Sequence, residues 1–248
     1  MPVETLATLL GGDAPKLVDV RGVNSFEMEH IPGAVQLDPS AVRANVDGVS
    51  GQVAPEQDVR ALWESIGLVE TDAVVVYGAD NGTDPARVVW TLAYYGHTGP
   101  VWALDGGFQA WTGDVETGPA SPTPSTYQSA VVADLRVDAA QVLASLDDGS
   151  FTLFDARGAG EYGAGHIPGA INVDWTTNLA PGGLLLPTSE LEALYGPPDA
   201  GETLVTYCQT GSRASVDWLV LASLGFEDVR LYDGSWAEWS ADSSNPVE

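Results

Sequence analysis

Two periodicities alternate along the chain. Short apolar runs, KLVDV at 16–20, AVVVY at 73–77 and VWAL at 101–104, read as buried strands, and a second set follows as FTLFDA at 151–156, TLVTY at 203–207 and VRLY at 229–232. Helical spacing fills the gaps. In residues 55–67, Val59, Leu62, Trp63 and Ile66 stand at i, i+3, i+4 and i+7, and Gly67 occupies the position that ends the helix. After TLVTY a second helix is predicted, with Val216, Leu219, Val220 and Leu224 on one face before Gly225 stops it. Strands alternating with helices predict an α/β fold built on parallel sheets flanked by helices, and each half of the chain carries its own set.

The halves are copies. DVRGVNSFEMEHIPGAVQLD (19–38) and DARGAGEYGAGHIPGAINVD (155–174) align without a gap at an offset of 136 residues, and LDGGFQAW (104–111) matches YDGSWAEW (232–239) at an offset of 128. Two tandem domains of one kind follow, over 1–113 and 128–248. Between them, the stretch GDVETGPASPTPSTYQ replaces periodicity with three prolines and several Ser, Thr and Gly residues, which marks 114–127 as an extended, semi-rigid linker.

Composition sharpens the setting. At 248 residues and 44% hydrophobic content, two ordinary cores can form. Thirty-five acidic residues against nine basic ones give a formal charge of −26, and Lys16 is the sole lysine. These charges are scattered among apolar runs and eight tryptophans, so they belong to a folded surface rather than a disordered acidic tail. Such a surface is at ease only where salt shortens the Debye length, from about 10 Å at 0.1 M to about 3 Å at 1 M. The expected source is the cytoplasm of a halophile, and nucleic acid and anionic membranes are poor partners. No secretory pattern opens the sequence and no run approaches the roughly 18 apolar residues of a membrane span. A single cysteine precludes an internal disulfide and suits a reducing cytoplasm.

That cysteine, Cys208, sits in VTYCQTGSRAS at the end of a predicted strand and ahead of a predicted helix, where open α/β sheets expose their ligand sites. Backbone N–H groups of the loop Cys208–Arg213, joined by the positive end of the following helix, favour an anion and hence a thiolate. Gly211 allows the loop to turn where a Cβ would obstruct it.

The paired DxR…HIPGA segments, the YC…GxR loop of the second copy and the LDGGFxxW motif of the first, with the order of these landmarks kept in both copies, resemble the rhodanese (sulfurtransferase) family in its tandem two-domain form, over residues 4 to 242. The resemblance implies two rhodanese-like domains, catalysis by the C-terminal copy only, and a site that opens toward the domain interface. The residues agree on the second point, because Gly78 stands where the second copy has Cys208 and the first copy therefore lacks a nucleophile. It further implies that Cys208 takes a sulfane sulfur from a small anionic donor as a persulfide and passes it to a thiophilic acceptor, cyanide in vitro or a thiol or sulfur-acceptor protein in the cell. Loop residues Gln209, Thr210, Gly211 and Ser212 would cradle the charge, with Arg213 as the cation. The loop runs six residues to Arg213; related phosphatases and arsenate reductases place the arginine one position later, which here is Ala214.

Some roles stay open at this level. Arg157 either binds the donor or holds the fold, since Arg21 stands at the same place in the inactive copy. Similar enzymes carry a basic donor contact just before the aromatic that is here Tyr162, and Glu161 replaces it. Gln209 and Thr210 match neither the thiosulfate nor the 3-mercaptopyruvate pattern; Arg213 tilts the reading to thiosulfate, with 3-mercaptopyruvate and a relay protein loaded by a partner as alternatives. A purely regulatory module would be expected to lack the cysteine. No cofactor fingerprint and no metal set is evident: His30 and His166 are repeat-equivalent and read as ordering the HIPG turn. Asp80 and Asp84 read as solvated carboxylates rather than an acid/base pair. Trp63, Trp90, Trp102, Trp111, Trp218, Trp236 and Trp239 read as mostly core, and Trp175 as a pocket or interface residue.

The charge predicts salt dependence. Melting temperature and activity should both rise with KCl into the molar range; an activity that peaks in dilute buffer and falls steadily with salt would refute the halophilic reading.

Overall fold

The computed structural model describes residues 1–12, 14–196 and 201–248. These residues form two compact units, the first made of Met1–Arg43, Ala54–Val132 and Pro181–Leu185, the second of Ala44–Val53, Ala133–Ala180 and Leu186–Glu248.

In chain order the first half contains α1 (Val3–Leu9), β1 (Lys16–Asp19), α2 (Val23–Met28), β2 (Val35–Gln36), β3 (Arg43–Val46), β4 (Val49–Val53), α3 (Glu56–Ser65), β5 (Val74–Tyr77), α4 (Thr83–Tyr94), β6 (Val101–Ala103) and α5 (Gly107–Ala110). Four of these strands make the sheet of the first unit, in the order β2-β1-β5-β6 and parallel throughout. Val74, Val75, Val76 and Tyr77 are all fully buried, the all-apolar signature of a strand covered on both faces. Of the predicted face, Val59 and Trp63 of α3 and Ile66 just after it are buried, and Leu62 is half-buried.

The second half contains β7 (Arg136–Val137), α6 (Ala139–Asp148), β8 (Phe151–Asp155), α7 (Ala159–Gly163), β9 (Ile171–Asn172), α8 (Thr188–Tyr195), β10 (Thr203–Tyr207), α9 (Ala214–Leu224), β11 (Asp228–Tyr232) and α10 (Ser235–Trp239). Its sheet runs β7-β11-β10-β8-β9, again all parallel. Its core gathers Val142, Leu153, Val205, Tyr207, Tyr232 and Trp239. The helix α9 differs from its predicted one-sided pattern. Val216 and Val220 are buried, but so are Trp218, Leu221, Ser215 and Asp217, whereas Leu219 and Leu224 are half-exposed. The reason is tertiary: α9 packs on β10 and β11 and is covered in turn by α8 and the 3-10 turn Trp175–Asn178.

Two short segments depart from the repeat boundaries. The two-stranded ribbon β3–β4 comes from the first repeat, yet residues 44–53 pack in the second unit; residues 181–185 come from the second repeat and pack in the first. An aspartate of the duplicated motif holds each. The Val53 N–H donates to Asp233 Oδ2 at 2.7 Å, and the Leu185 N–H donates to Asp105 Oδ1 at 2.9 Å. The proline-containing stretch 114–127 lies in the first unit and is hydrogen-bonded there: the Ser125 N–H donates to Glu64 O at 3.0 Å, the Tyr127 N–H donates to Glu64 Oε1 at 3.2 Å, and the Tyr127 ring is buried. Once its N–H groups have acceptors and an aromatic ring is buried, such a segment behaves as part of the unit rather than as a free spacer. No helix among the described residues is long and apolar enough to cross a membrane.

Trp239 anchors the second core, fully buried and with its indole N–H donating to Pro246 O at 2.9 Å. Trp239→Ala should lower the unfolding free energy by about 3–5 kcal/mol in a denaturant titration, whereas the repeat-equivalent Trp111→Ala, at a half-buried position, should cost clearly less. Equal losses would mean that the two cores are not differentiated in this way.

Candidate active site

Strand β10 ends at Tyr207, the chain turns through Cys208–Arg213, and α9 begins at Ala214. Strand pairing on both sides fixes the exit point of β10, with Thr206 opposite Phe154 of β8 and Leu231 of β11. Cys208 is 1% exposed. The turn closes through Gly211, which adopts φ +84° and whose carbonyl accepts from the Ser215 N–H at 3.1 Å and the Ser215 hydroxyl at 2.9 Å. Among the described residues, the N–H groups of Gln209, Thr210 and Gly211 donate to no protein acceptor. Unused N–H donors beside the N-terminus of an eleven-residue helix form a setting that favours an anion at Cys208.

The YDGSW motif clamps the loop from the other side. The N–H groups of Trp236 and Ala237 donate to the carbonyls of Cys208 and Gln209, each at 3.0 Å. Ser235 accepts the Cys208 N–H at 3.2 Å and donates its own hydroxyl to Tyr232 O at 2.8 Å. The first unit repeats the clamp around a loop without sulfur: Phe108 and Gln109 donate to the carbonyls of Gly78 and Ala79, each at 2.9 Å. Gly78 thus stands where Cys208 stands. The residue equivalent to Ser235 is Gly107, and both adopt left-handed backbone, φ +55° and φ +57°. A non-glycine residue there carries strain of order 1–3 kcal/mol, and Ser235 uses the position to cap the Cys208 amide. Sequence reasoning missed this residue; the signal was a serine where the other copy has glycine.

Arg213 closes the loop, and Glu161 holds it. The guanidinium donates to both carboxylate oxygens of Glu161, at 2.6 and 2.8 Å. The pKa of Arg213 is raised, first by these hydrogen bonds; partial burial opposes the shift and the neighbouring Cys208 adds to it. The same hydrogen bonds hold the Glu161 carboxyl below the usual carboxylate range. Arg157 is 2% exposed. It donates to both oxygens of Asp155, at 2.6–3.0 Å, and to Gly165 O at 2.9 Å, and its guanidinium lies 4.5 Å from the Trp236 ring centre. Arg21 repeats the arrangement with Asp19, Glu29 O and Phe108. The structure therefore groups Gln209, Thr210, Gly211, Ser212 and Arg213 with Cys208 in one loop, whereas Arg157 lies against the rings of Tyr207 and Trp236 that flank it.

Two supports lie outside the motifs. Thr210 faces Gly51 of the ribbon β3–β4 so closely that a Cβ on Gly51 would stand 2.9 Å from both Thr210 Cβ and Thr210 O. Asp217, fully buried in the first turn of α9, accepts from Asn178 Nδ2 at 2.9 Å, and Asn178 in turn accepts from the Tyr195 hydroxyl at 2.9 Å. Burial pushes the Asp217 carboxyl well above the usual carboxylate range, against those hydrogen bonds. Neither was legible in the sequence, because a lone glycine in a loop and an acidic residue near a helix start are both common.

The remaining candidates fall into structural places. His30 and His166 each stack on an aromatic ring, Phe26 and Tyr162, and bond a carbonyl of the same turn. Each also exchanges a pair of backbone hydrogen bonds with a later glutamate residue, Glu116 or Glu248. Among the described residues no group of three or more His, Cys, Asp or Glu side chains is placed to hold a metal ion. Asp84 pairs with Arg43 at 2.6 Å, and Asp80 lines a cavity of about 320 Å³ over the Gly78 loop, beside Arg21. Trp63, Trp90, Trp218 and Trp239 are buried, while Trp102, Trp111, Trp236 and Trp175 are half-buried.

The family model "Rhodanese-like domain" matches residues 2–114 and again 138–242. The chain is 34% identical to a thiosulfate sulfurtransferase of Corynebacterium glutamicum, an alignment covering 98% of this chain and 88% of that protein. It is also 34% identical to a probable 3-mercaptopyruvate sulfurtransferase of Pseudomonas aeruginosa, over 91% of this chain and 86% of that one. Among solved structures it resembles SseA of Escherichia coli, a 3-mercaptopyruvate sulfotransferase with the rhodanese fold, at a TM-score of 0.84 and 26% identity, covering 95% of this chain and 98% of that one.

Gly51 should be intolerant of a side chain, since its φ is +89° and its Cβ would press on Thr210. Gly51→Ala should lower the unfolding free energy by about 1–3 kcal/mol and raise the alkylation rate of Cys208 as the loop loosens. Unchanged stability together with an unchanged alkylation rate would show that the ribbon does not constrain the loop.

Proposed function

We propose, because the chain belongs to the rhodanese family, that it is a sulfurtransferase that carries a sulfane sulfur on Cys208 from thiosulfate to a thiophilic acceptor. The observation that carries the reading is the placement of Cys208 at the end of β10, in a six-residue loop with unused N–H donors and Arg213 beside it. The C-terminal repeat is the catalytic one and the N-terminal repeat is inactive, since Gly78 offers no nucleophile.

In the first step the Cys208 thiolate attacks the outer sulfur of thiosulfate. A new S–S bond forms, the S–S bond of the donor breaks, and its electron pair leaves with sulfite, so that Cys208 holds a persulfide anion. In the second step a nucleophile, cyanide in vitro or a thiol in the cell, takes the terminal sulfur and returns Cys208 to thiolate. The N–H groups of Gln209, Thr210, Gly211 and Ser212 stabilise the persulfide charge, and Arg213 attracts the donor. Arg157 acts as a positioning residue: Asp155 already occupies its fork. The partners are a small anionic sulfur donor and a thiol or sulfur-acceptor protein in a reducing cytoplasm; a net charge of −26 argues against nucleic acid and anionic membranes.

One observation favours 3-mercaptopyruvate as a second reading for the donor. With Glu161 on Arg213 the cation is offset, and a donor with a single carboxylate needs less positive charge than a dianion.

Intact mass after incubation with thiosulfate, and separately with 3-mercaptopyruvate, in molar KCl tests the assignment. The expected result is a gain of one sulfur atom that cyanide discharges as thiocyanate and that Cys208→Ser abolishes, the better donor naming the subclass. A folded protein that gains sulfur from neither donor would instead be a relay protein loaded by a partner.

A further inference from the structure

We propose that Glu161 is an internal competitor for the donor site: its carboxylate occupies the Arg213 guanidinium in the resting protein, and an anionic sulfur donor must displace it. This rests on the reading of Cys208 as the sulfur-accepting nucleophile.

The geometry is that of a ligand in place. Two guanidinium nitrogens, Nη1 and Nη2, meet two carboxylate oxygens at 2.6 and 2.8 Å, the fork-to-fork arrangement that an incoming sulfonate-like or carboxylate group would itself adopt. Glu161 fills the place of the donor's charged end. The other arginines of the same unit are committed elsewhere: Arg157 to Asp155, Arg230 to Asp228, and Arg136 to Gln52 and Asp233. Arg213 is therefore the cation available beside Cys208, and its charge is already offset.

The pair is built to open. The Glu161 side chain is 44% exposed and that of Arg213 26% exposed. Among the described residues the Glu161 carboxylate accepts one further hydrogen bond, a long one of 3.4 Å from the Gly158 N–H, and it rides on the five-residue helix α7. A half-exposed ion pair is weak enough for a small anion to exchange with it. After displacement the carboxylate stays near the bound donor, and its repulsion scales with donor charge. Glu161 thereby acts on both affinity and selectivity, disfavouring a dianion such as thiosulfate more than a monoanion such as 3-mercaptopyruvate.

Steady-state kinetics of Glu161→Gln and Glu161→Asp against wild type, with both donors, test the inference. Glu161→Gln should lower KM for thiosulfate about tenfold, equivalent to about 1.4 kcal/mol, and KM for 3-mercaptopyruvate about threefold, with kcat kept within about twofold. Glu161→Asp, which keeps the charge but shortens the reach, should fall between. Persulfide loading at saturating donor, read by intact mass, separates the two layers of argument. If all three proteins load one sulfur but KM is unchanged or rises in Glu161→Gln, the competitor role is overturned and the sulfurtransferase reading stands. If none of them loads sulfur from either donor at any concentration, both fall together.

Discussion

Arg157 is almost wholly buried, and its charge is met on both guanidinium edges by Asp155 and Gly165 O. Burial disfavours the cation, yet Asp155 and, to a lesser extent, Tyr207 together more than offset it and the Arg157 pKa is raised. A pair of this kind contributes little to net stability, but loss of one partner strands a buried charge at a cost of about 3–5 kcal/mol. It therefore locks geometry. The fork ties the end of β8 to the HIPG turn, its flat face supports the Trp236 ring, and the Trp236 N–H holds the Cys208 carbonyl. One of the constraints on the Cys208 loop thus runs back to this contact.

The duplication makes the logic visible. Asp19 and Arg21 build the same lock, Phe108 lies over it, and the N–H groups of Phe108 and Gln109 grip a loop that begins with glycine. One framework thus presents either a thiol or nothing. The loop itself differs, GADNG at 78–82 against CQTGSR at 208–213, and around it Ser235 stands for Gly107, Trp236 for Phe108, and Arg213 pairs with Glu161 at the loop's edge. The backbone hydrogen bonds of the clamp are the same in both copies although the loops they hold differ.

The charge pattern works alongside this. In a chain of net charge −26 the cation beside the Cys208 loop is itself bridged by a carboxylate, so its charge is offset where it stands. At short range the loop also presents its N–H groups and the helix terminus, which salt screens less than it screens the distant surface.

Much of this was open to reading in the chain itself. Apolar runs of four or five residues between helical segments determined parallel α/β sheets, because only strands covered on both faces tolerate such runs. The repeated DxR and HIPGA motifs, with LDGG answered by YDGS, determined two copies, and the lone cysteine after TLVTY singled out one strand end. Local periodicity holds no information about partners distant in sequence, and there the tertiary structure decided. It buried α9 on most of its circumference, placed the ribbon β3–β4 with the unit opposite to its repeat, and set Gly51 against Thr210. It gave Arg157 to the framework and Arg213 to Glu161, a choice that residue types leave open because either arginine could have faced either carboxylate.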